Sequence, residues 1–284
     1  MLTRILATLM LCALATAGRA QELRLPVLEI GIAGGGGYLP DYPAADEGRL
    51  RGIAAPYLIY RGEILRSDDR GARLRAALTD DIEFSVSASG SLPVSSSDND
   101  ARRGMPDLDL LGEIGPTLRL TLWRGAAAEY PLRVVLDTPV RAVFSTDFTS
   151  ISFRGVTFSP DVSLEARNLV LPFSRLRATL GVTFASDRFM EYFYDVRPEF
   201  VRADRPAYGA KAGYLGARAS LSYRFPLSER LSAAVTARVD YFGGAANRDS
   251  PLFRRDINAS ATVGFAYSLW RSEERVAVDT DVFD

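Results

Sequence analysis

Residues 82 to 92 read IEFSVSASGSL, with Ile82, Phe84, Val86, Ala88, Gly90 and Leu92 alternating with Glu83, Ser85, Ser87, Ser89 and Ser91. A period of two predicts a β-strand with one apolar and one polar face. The same alternation runs through 116–123, 131–144, 176–185, 216–225, 231–242 and 257–270. In 131–144, for example, Leu132, Val134, Leu136, Val140, Ala142 and Phe144 oppose Arg133, Asp137 and Arg141. Weaker candidates lie near 27–37, 51–61, 72–79, 151–158 and 161–169. Together they predict an all-β, antiparallel chain of about twelve strands, within a range of roughly ten to fourteen.

Alternation alone leaves the position of water open. A soluble sandwich hides its apolar face, whereas a membrane barrel turns that face to lipid and keeps polar groups in its lumen. Three features favour the transmembrane β-barrel. Several segments are long; soluble strands average about 5–6 residues, and roughly 9–11 tilted residues cross a bilayer. Arginine recurs inside the polar faces, at Arg119, Arg141, Arg218 and Arg238. On the lipid side at mid-depth each would cost about 2–4 kcal/mol, so they are expected to point inward, toward Glu113, Asp137, Glu165 and Asp240. Aromatics gather at segment ends, among them Tyr57, Tyr60, Trp123, Tyr130, Phe225 and Trp270. Interfacial girdles need this placement, although ordinary core aromatics at strand ends read the same way. The connectors alternate too: 66–71, 171–175 and 226–230 are short, while 93–109, 185–208 and 243–256 are long and polar.

The first residues predict a secretory signal. Arg4 is its positive flank, 5–17 its apolar stretch, and small residues precede Gln21, which puts cleavage after Ala20. The apolar run is too short to span a bilayer, and no run near 20 residues follows it, so a membrane form must be a barrel. The expected organisation is a signal peptide at 1–20, an outer-membrane barrel at 21–270, and a tail or part of the last strand at 271–284. The only cysteine, Cys12, leaves with the signal, and with it any thiol or disulfide chemistry. Of 34 basic residues only Lys211 is lysine, and the net charge of −1 gives no support for nucleic-acid binding.

Three loop segments resemble the MipA/OmpV family. The first is 37–62, with Pro40, Asp41, Tyr42, Asp46, Pro56, Tyr60, Arg61 and Gly62; the others are 204–214, around Arg205-Pro206-Ala207-Tyr208, and 243–253, with Ser250-Pro251-Leu252. The resemblance implies a Gram-negative outer-membrane β-barrel. It also implies a scaffold role, binding a lytic transglycosylase and a peptidoglycan synthase, and offers no catalytic residues. Pro43 departs from the family pattern, and the chain lacks a terminal aromatic, so either Trp270 or Phe283 marks the last strand.

The candidate chemistry is sparse. Histidine is absent, which removes the commonest general base and the usual triads. Asp80, Asp81 and Glu83 offer carboxylates for acid–base work but read more readily as a solvated loop tip. Gly34 to Gly37 lack the Gly-Lys-Ser/Thr of a phosphate loop and read as a place where a strand bends or fits a bulky neighbour. Asp98, Asp100, Asp107 and Asp109 are oxygen ligands for Ca²⁺ or for the divalent ions of lipopolysaccharide, in a spacing that matches no metal loop. No cofactor, catalytic or metal site is therefore expected. Phe189, Tyr192, Phe193, Tyr194 and Phe200 within one connector form either a partner surface or a loop folded into the barrel mouth. The expected function is a non-enzymatic scaffold in outer-membrane lipid and lipopolysaccharide. The alternative is a narrow passive channel for small solutes, and a hydrolase using carboxylates alone is third.

Overall fold

The computed structural model describes residues 23–60, 65–68, 71–77, 79, 81–127 and 130–278. The expected signal segment 1–20, Arg61, Gly62, Asp80 and Phe283 lie outside the described residues. Alternating segments become one antiparallel sheet of thirteen strands. These are β2 (Leu28–Pro40), β3 (Gly48–Tyr60), β4 (Leu65–Asp68), β5 (Gly71–Ala77), β6 (Ile82–Ser91), β7 (Leu110–Ala127), β8 (Tyr130–Thr146), β9 (Ile151–Phe158), β10 (Asp161–Arg167), β11 (Arg175–Ala185), β12 (Gly213–Pro226), β13 (Leu231–Tyr241) and β14 (Ile257–Arg271). Sequence neighbours pair, apart from β3 with β4 and β9 with β10, and β2 also pairs with β14 and so joins the first long strand to the last. The path therefore begins at β3 and ends at β4, two strands consecutive in the chain. Outside it, β1 (Leu23–Pro26) pairs with β15 (Arg275–Val278).

β9 and β10 form one descending strand in two pieces. β9 pairs with 140–146 of β8 and β10 with 132–137 of the same strand, and both also reach β11. The break is Ser159-Pro160. Proline has no N–H for a ladder, so pairing must lapse there.

The two faces of the sheet are the reverse of a soluble protein's. Phe84, Ile114, Leu118, Leu122, Val263, Phe265 and Tyr267 are exposed, while Ser85, Ser87, Thr117, Arg119, Asp137, Ser163 and Glu165 are buried. The polar face is also the concave one, because its side chains reach over intervening strands. Arg177 Nη2 on β11 donates to Asp137 on β8 at 2.9 Å, and Arg218 Nη2 on β12 donates to Asp161 on β10 at 2.6 Å. Arg141 Nε on β8 donates to Ser87 Oγ on β6 at 3.0 Å. Such bonds need side chains that converge, which the outer side of a curved sheet does not permit. Glycines in β2 allow close strand approach: a Cβ at Gly35 would stand 2.6 Å from the Val263 carbonyl, so Gly34–Gly37 fit the strand-packing reading.

Strand directions sort the connectors. The first and last described strands, β1 and β15, lie at one end with the turns at 168–174 and 227–230; the connectors 41–47, 92–109, 147–150, 186–212 and 242–256 lie at the other. No helix among the described residues is long and apolar enough to cross a membrane, which says nothing of strands.

Candidate functional site

The long connectors at the end away from the termini fold together into a cap. Its one α-helix, α1 (Asp187–Tyr194), carries Phe189, Met190, Phe193 and Tyr194 on one side, a spacing that makes one apolar stripe. That stripe packs with Tyr42, Val94, Leu108, Val143, Leu215 and Leu252 into the main buried apolar cluster of the described residues. Gly155 on β9 receives the start of α1: its φ of +102° suits glycine, and the neighbouring Val156 amide donates to Ser186 Oγ at 2.9 Å.

Polar side chains fasten the loops to one another. The Asp41 carboxylate, with no solvent exposure, accepts from Arg49 Nε at 3.0 Å and Nη2 at 2.7 Å, from Arg51 at 2.5 Å and from Asn99 Nδ2 at 3.0 Å. Tyr42 donates its hydroxyl to the Leu252 carbonyl at 2.8 Å, and Tyr194 donates to that of Pro43 at 2.9 Å. Buried Arg102 bonds the carbonyls of Phe193 and Pro106, at 3.1 and 3.2 Å. Buried Arg205 bonds those of Phe200, Ala101 and Arg103. Asn247 ties Tyr208 and Lys211 together, and Asn258 ties Ala44 and Ala45 to β14.

A family model described as MltA-interacting protein MipA matches residues 32–269. The chain belongs to this family. All three loop segments that carry the MipA likeness meet in the cap: Asp41 and Tyr42 from the first, Arg205 and Tyr208 from the second, Leu252 from the third. No curated protein matches the chain. Among solved structures it is similar to the NanC porin, at 9% identity over 84% of this chain and 100% of that one, TM-score 0.39. It is also similar to an outer membrane channel from Pseudomonas putida F1, at 11% identity over 90% of this chain and 100% of that one, TM-score 0.40. A third is outer membrane phospholipase A from Escherichia coli, at 10% identity over 85% of this chain and 93% of that one, TM-score 0.30.

The sequence-derived candidates fall in separate places. Of the aromatic connector, Phe189, Phe193 and Tyr194 are buried in the cap, so they hold it together and present no surface; Tyr192 and Phe200 are half-buried at a cavity wall. Asp98 pairs with Arg49 at 3.2 Å, Asp100 with Arg103 at 2.5 Å, Asp107 accepts the Ser96 amide at 2.6 Å, and Asp109 lies 3.8 Å from Arg154. Each acid thus has its own partner, and among the described residues no group of three His, Cys, Asp or Glu is placed to hold a metal. Asp81 pairs with Arg124, whereas Glu83 sits on β6 opposite Arg119, so the two carboxylates do not act as a pair.

Of the inward arginines, Arg119 pairs with Asp137 at 2.8 Å and approaches Glu165 at 3.8 Å, and Arg141 lies 3.9 Å from Glu113. Arg238 pairs with Asp240 at 2.6 Å. Arg218 instead takes Asp161, a residue the sequence pattern did not single out; only the β10–β12 geometry brings the two together.

Two outcomes follow for the cap. Replacing Asp41 by alanine removes the acceptor of the buried Asn99 amide, at about 1–3 kcal/mol for a buried donor left unmade, and leaves Arg49 with Asp98 and Arg51 with the Pro93 carbonyl alone. The cap loops of D41A are expected to be cut by protease at least several-fold faster than wild type while the strands stay protected. Burial, the largest cause, pushes the Tyr42 and Tyr194 phenols up. In an opened cap they titrate near the ordinary value of about 10. Their contribution to cap closure is therefore complete below about pH 10 and is lost as pH rises through the raised folded values. Protease resistance of the loops that is unchanged well above pH 10 would contradict this.

Proposed function

We propose that this chain is a non-enzymatic outer-membrane β-barrel of twelve strand positions, exported by its signal segment, that works as a scaffold between the outer membrane and periplasmic wall-remodelling enzymes. The observation that carries the reading is the inverted sheet, with large apolar side chains outside and arginine–carboxylate pairs inside. Such a surface is stable against acyl chains and lipopolysaccharide tails and unstable in water. The cap and the ion pairs on the concave face both obstruct a lumen, which leaves the outer surfaces as the working parts. Membership of the MipA family supports a lytic transglycosylase as one partner; a peptidoglycan synthase as the second is the proposal's own extension.

Both termini of an outer-membrane barrel belong to the periplasmic side, where the short turns are. A wall enzyme would therefore meet the turns at 168–174 and 227–230, not the aromatic helix α1 at the far end. The turn at 168–174 presents Val170, Leu171 and Phe173 to solvent. It is held rigid by Phe173 N donating to Asn168 Oδ1 at 2.8 Å and Ser174 Oγ to the Leu169 carbonyl at 2.8 Å. Pull-down from detergent-solubilised envelope tests the reading. The intact chain is expected to retain wall-cleaving activity, and the Val170→Ser/Phe173→Ser variant to lose it. Recovery of no wall enzyme by the intact chain counts against the scaffold.

A channel remains the second reading because of one cavity. About 830 Å³ lies beside β2, β3 and β12–β14, walled by small side chains such as Ala33, Ala55, Ala234 and Thr262. Steady single-channel steps in a planar bilayer would favour this reading over the scaffold.

A further inference from the structure

A second cavity, of about 510 Å³, opens in the cap between α1, the 92–109 connector and β9. Its apolar walls include Phe153, Tyr192 and Phe200. Tyr192 is fixed there: its hydroxyl accepts the Asp109 amide at 2.6 Å, and the Arg154 guanidinium lies 4.5 Å from its ring centre. Charges of both signs surround these rings, and most are already engaged, Arg102 by carbonyls and Asp107 by the Ser96 amide.

Arg188 and Glu191 differ. Both lie on the exposed side of α1, one turn apart, and both line the cavity. Among the described residues neither side chain makes a hydrogen bond or ion pair, and the Arg188 guanidinium rests 5.7 Å from the Phe153 ring centre. A cation and an anion, neither engaged in a hydrogen bond or ion pair, thus face one space with aromatic rings in its wall. The complement of that arrangement is a molecule with a carboxylate, an ammonium and a flat apolar body. The guanidinium offers a paired fork to the carboxylate, and the rings attract the ammonium as well as the apolar body.

We propose that this cavity binds a small zwitterionic solute with an aromatic body, of the class of a free aromatic amino acid, its carboxylate at Arg188 and its ammonium at Glu191. The cavity lies in the cap, away from the termini, so the solute arrives from the side opposite the proposed wall enzymes. The site is thus independent of the scaffold role.

Calorimetric titration of the full chain, folded in detergent micelles, tests it with three probes: L-phenylalanine, its N-acetyl form and its amide. L-Phenylalanine is expected to bind about tenfold or more tightly than either derivative. Arg188→Gln should reduce it to the level of the amide and Glu191→Gln to that of the N-acetyl form. Both residues are exposed, so the fold should persist, and heat-modifiable mobility on gels checks that it does. Arg103→Gln, which loses only the exposed pair with Asp100, should bind as wild type does. Equal binding of the three probes, no binding of any, or no effect of either α1 substitution would overturn the assignment.

Discussion

Replacing Asp137 by alanine is expected to destabilise the folded chain by about 3–5 kcal/mol, the usual cost of removing one partner from a buried ion pair. Asp137 accepts two bonds from Arg119, both at 2.8 Å, and one from Arg177 at 2.9 Å. Arg119 is 4% exposed. Without Asp137 its nearest carboxylate is Glu165 at 3.8 Å, too far for a direct hydrogen bond. Arg177 fares better, with Asp161 at 3.5 Å and Glu165 at 3.7 Å. Urea unfolding in lipid vesicles measures the loss. The double variant Arg119→Met/Asp137→Leu removes both charges and should recover much of it, because an apolar pair of similar volume avoids the desolvation cost. A loss below about 1 kcal/mol for Asp137→Ala would mean that water screens this face as it does an exposed pair. The network would then be a lining and not a plug, and the channel reading would gain.

The strands were legible because alternation is a local property. Every segment with sustained period-two patterning became a strand, and 231–242 and 257–270 match β13 and β14 to within a residue. Two misreadings came from features that are not local. The segments 151–158 and 161–169 were expected as separate strands, yet β9 and β10 share one place between β8 and β11, since a proline break interrupts pairing without reversing the chain. The stretch 66–71 was expected as a turn, whereas β4 occupies Leu65–Asp68 and pairs back on β5. The β1–β15 pair was invisible because four residues are too few to show a period.

The cap was legible only in part. The family likeness singled out Asp41, Tyr42, Arg205, Tyr208 and Leu252, but not their convergence, which depends on loops far apart in sequence meeting at one end. Helix α1 was hidden inside a connector whose aromatics read equally as surface or as core. One sign was available: Phe189, Met190, Phe193 and Tyr194 repeat at helical and not strand spacing. Arg102 and Arg205 could not be found from charge patterning, because their partners are backbone carbonyls and not carboxylates.

Adjacent positions on β14 test the orientation on which both readings of function depend. Val263 sits mid-strand on the exposed apolar face, while Thr262, its neighbour, is half-buried on the opposite, polar face. Arginine at 263 would stand in hydrocarbon near mid-depth, at a cost of about 2–4 kcal/mol. Arginine at 262 would stand on the polar face, beside a cavity whose walls include glycine, alanine, serine and threonine as well as Ile53 and Tyr57, with room for water to solvate it. Val263→Arg is therefore expected to lower stability in vesicles by that amount and to fold poorly into bilayers. Thr262→Arg should change stability by less than about 1 kcal/mol, in line with polar-face substitutions elsewhere. The two substitutions add the same charge one residue apart, so propensity and net charge cannot explain a difference between them. Only the solvent on each face can, and equal losses, or a larger loss at Thr262, would place water against the apolar side and remove the basis for a membrane barrel.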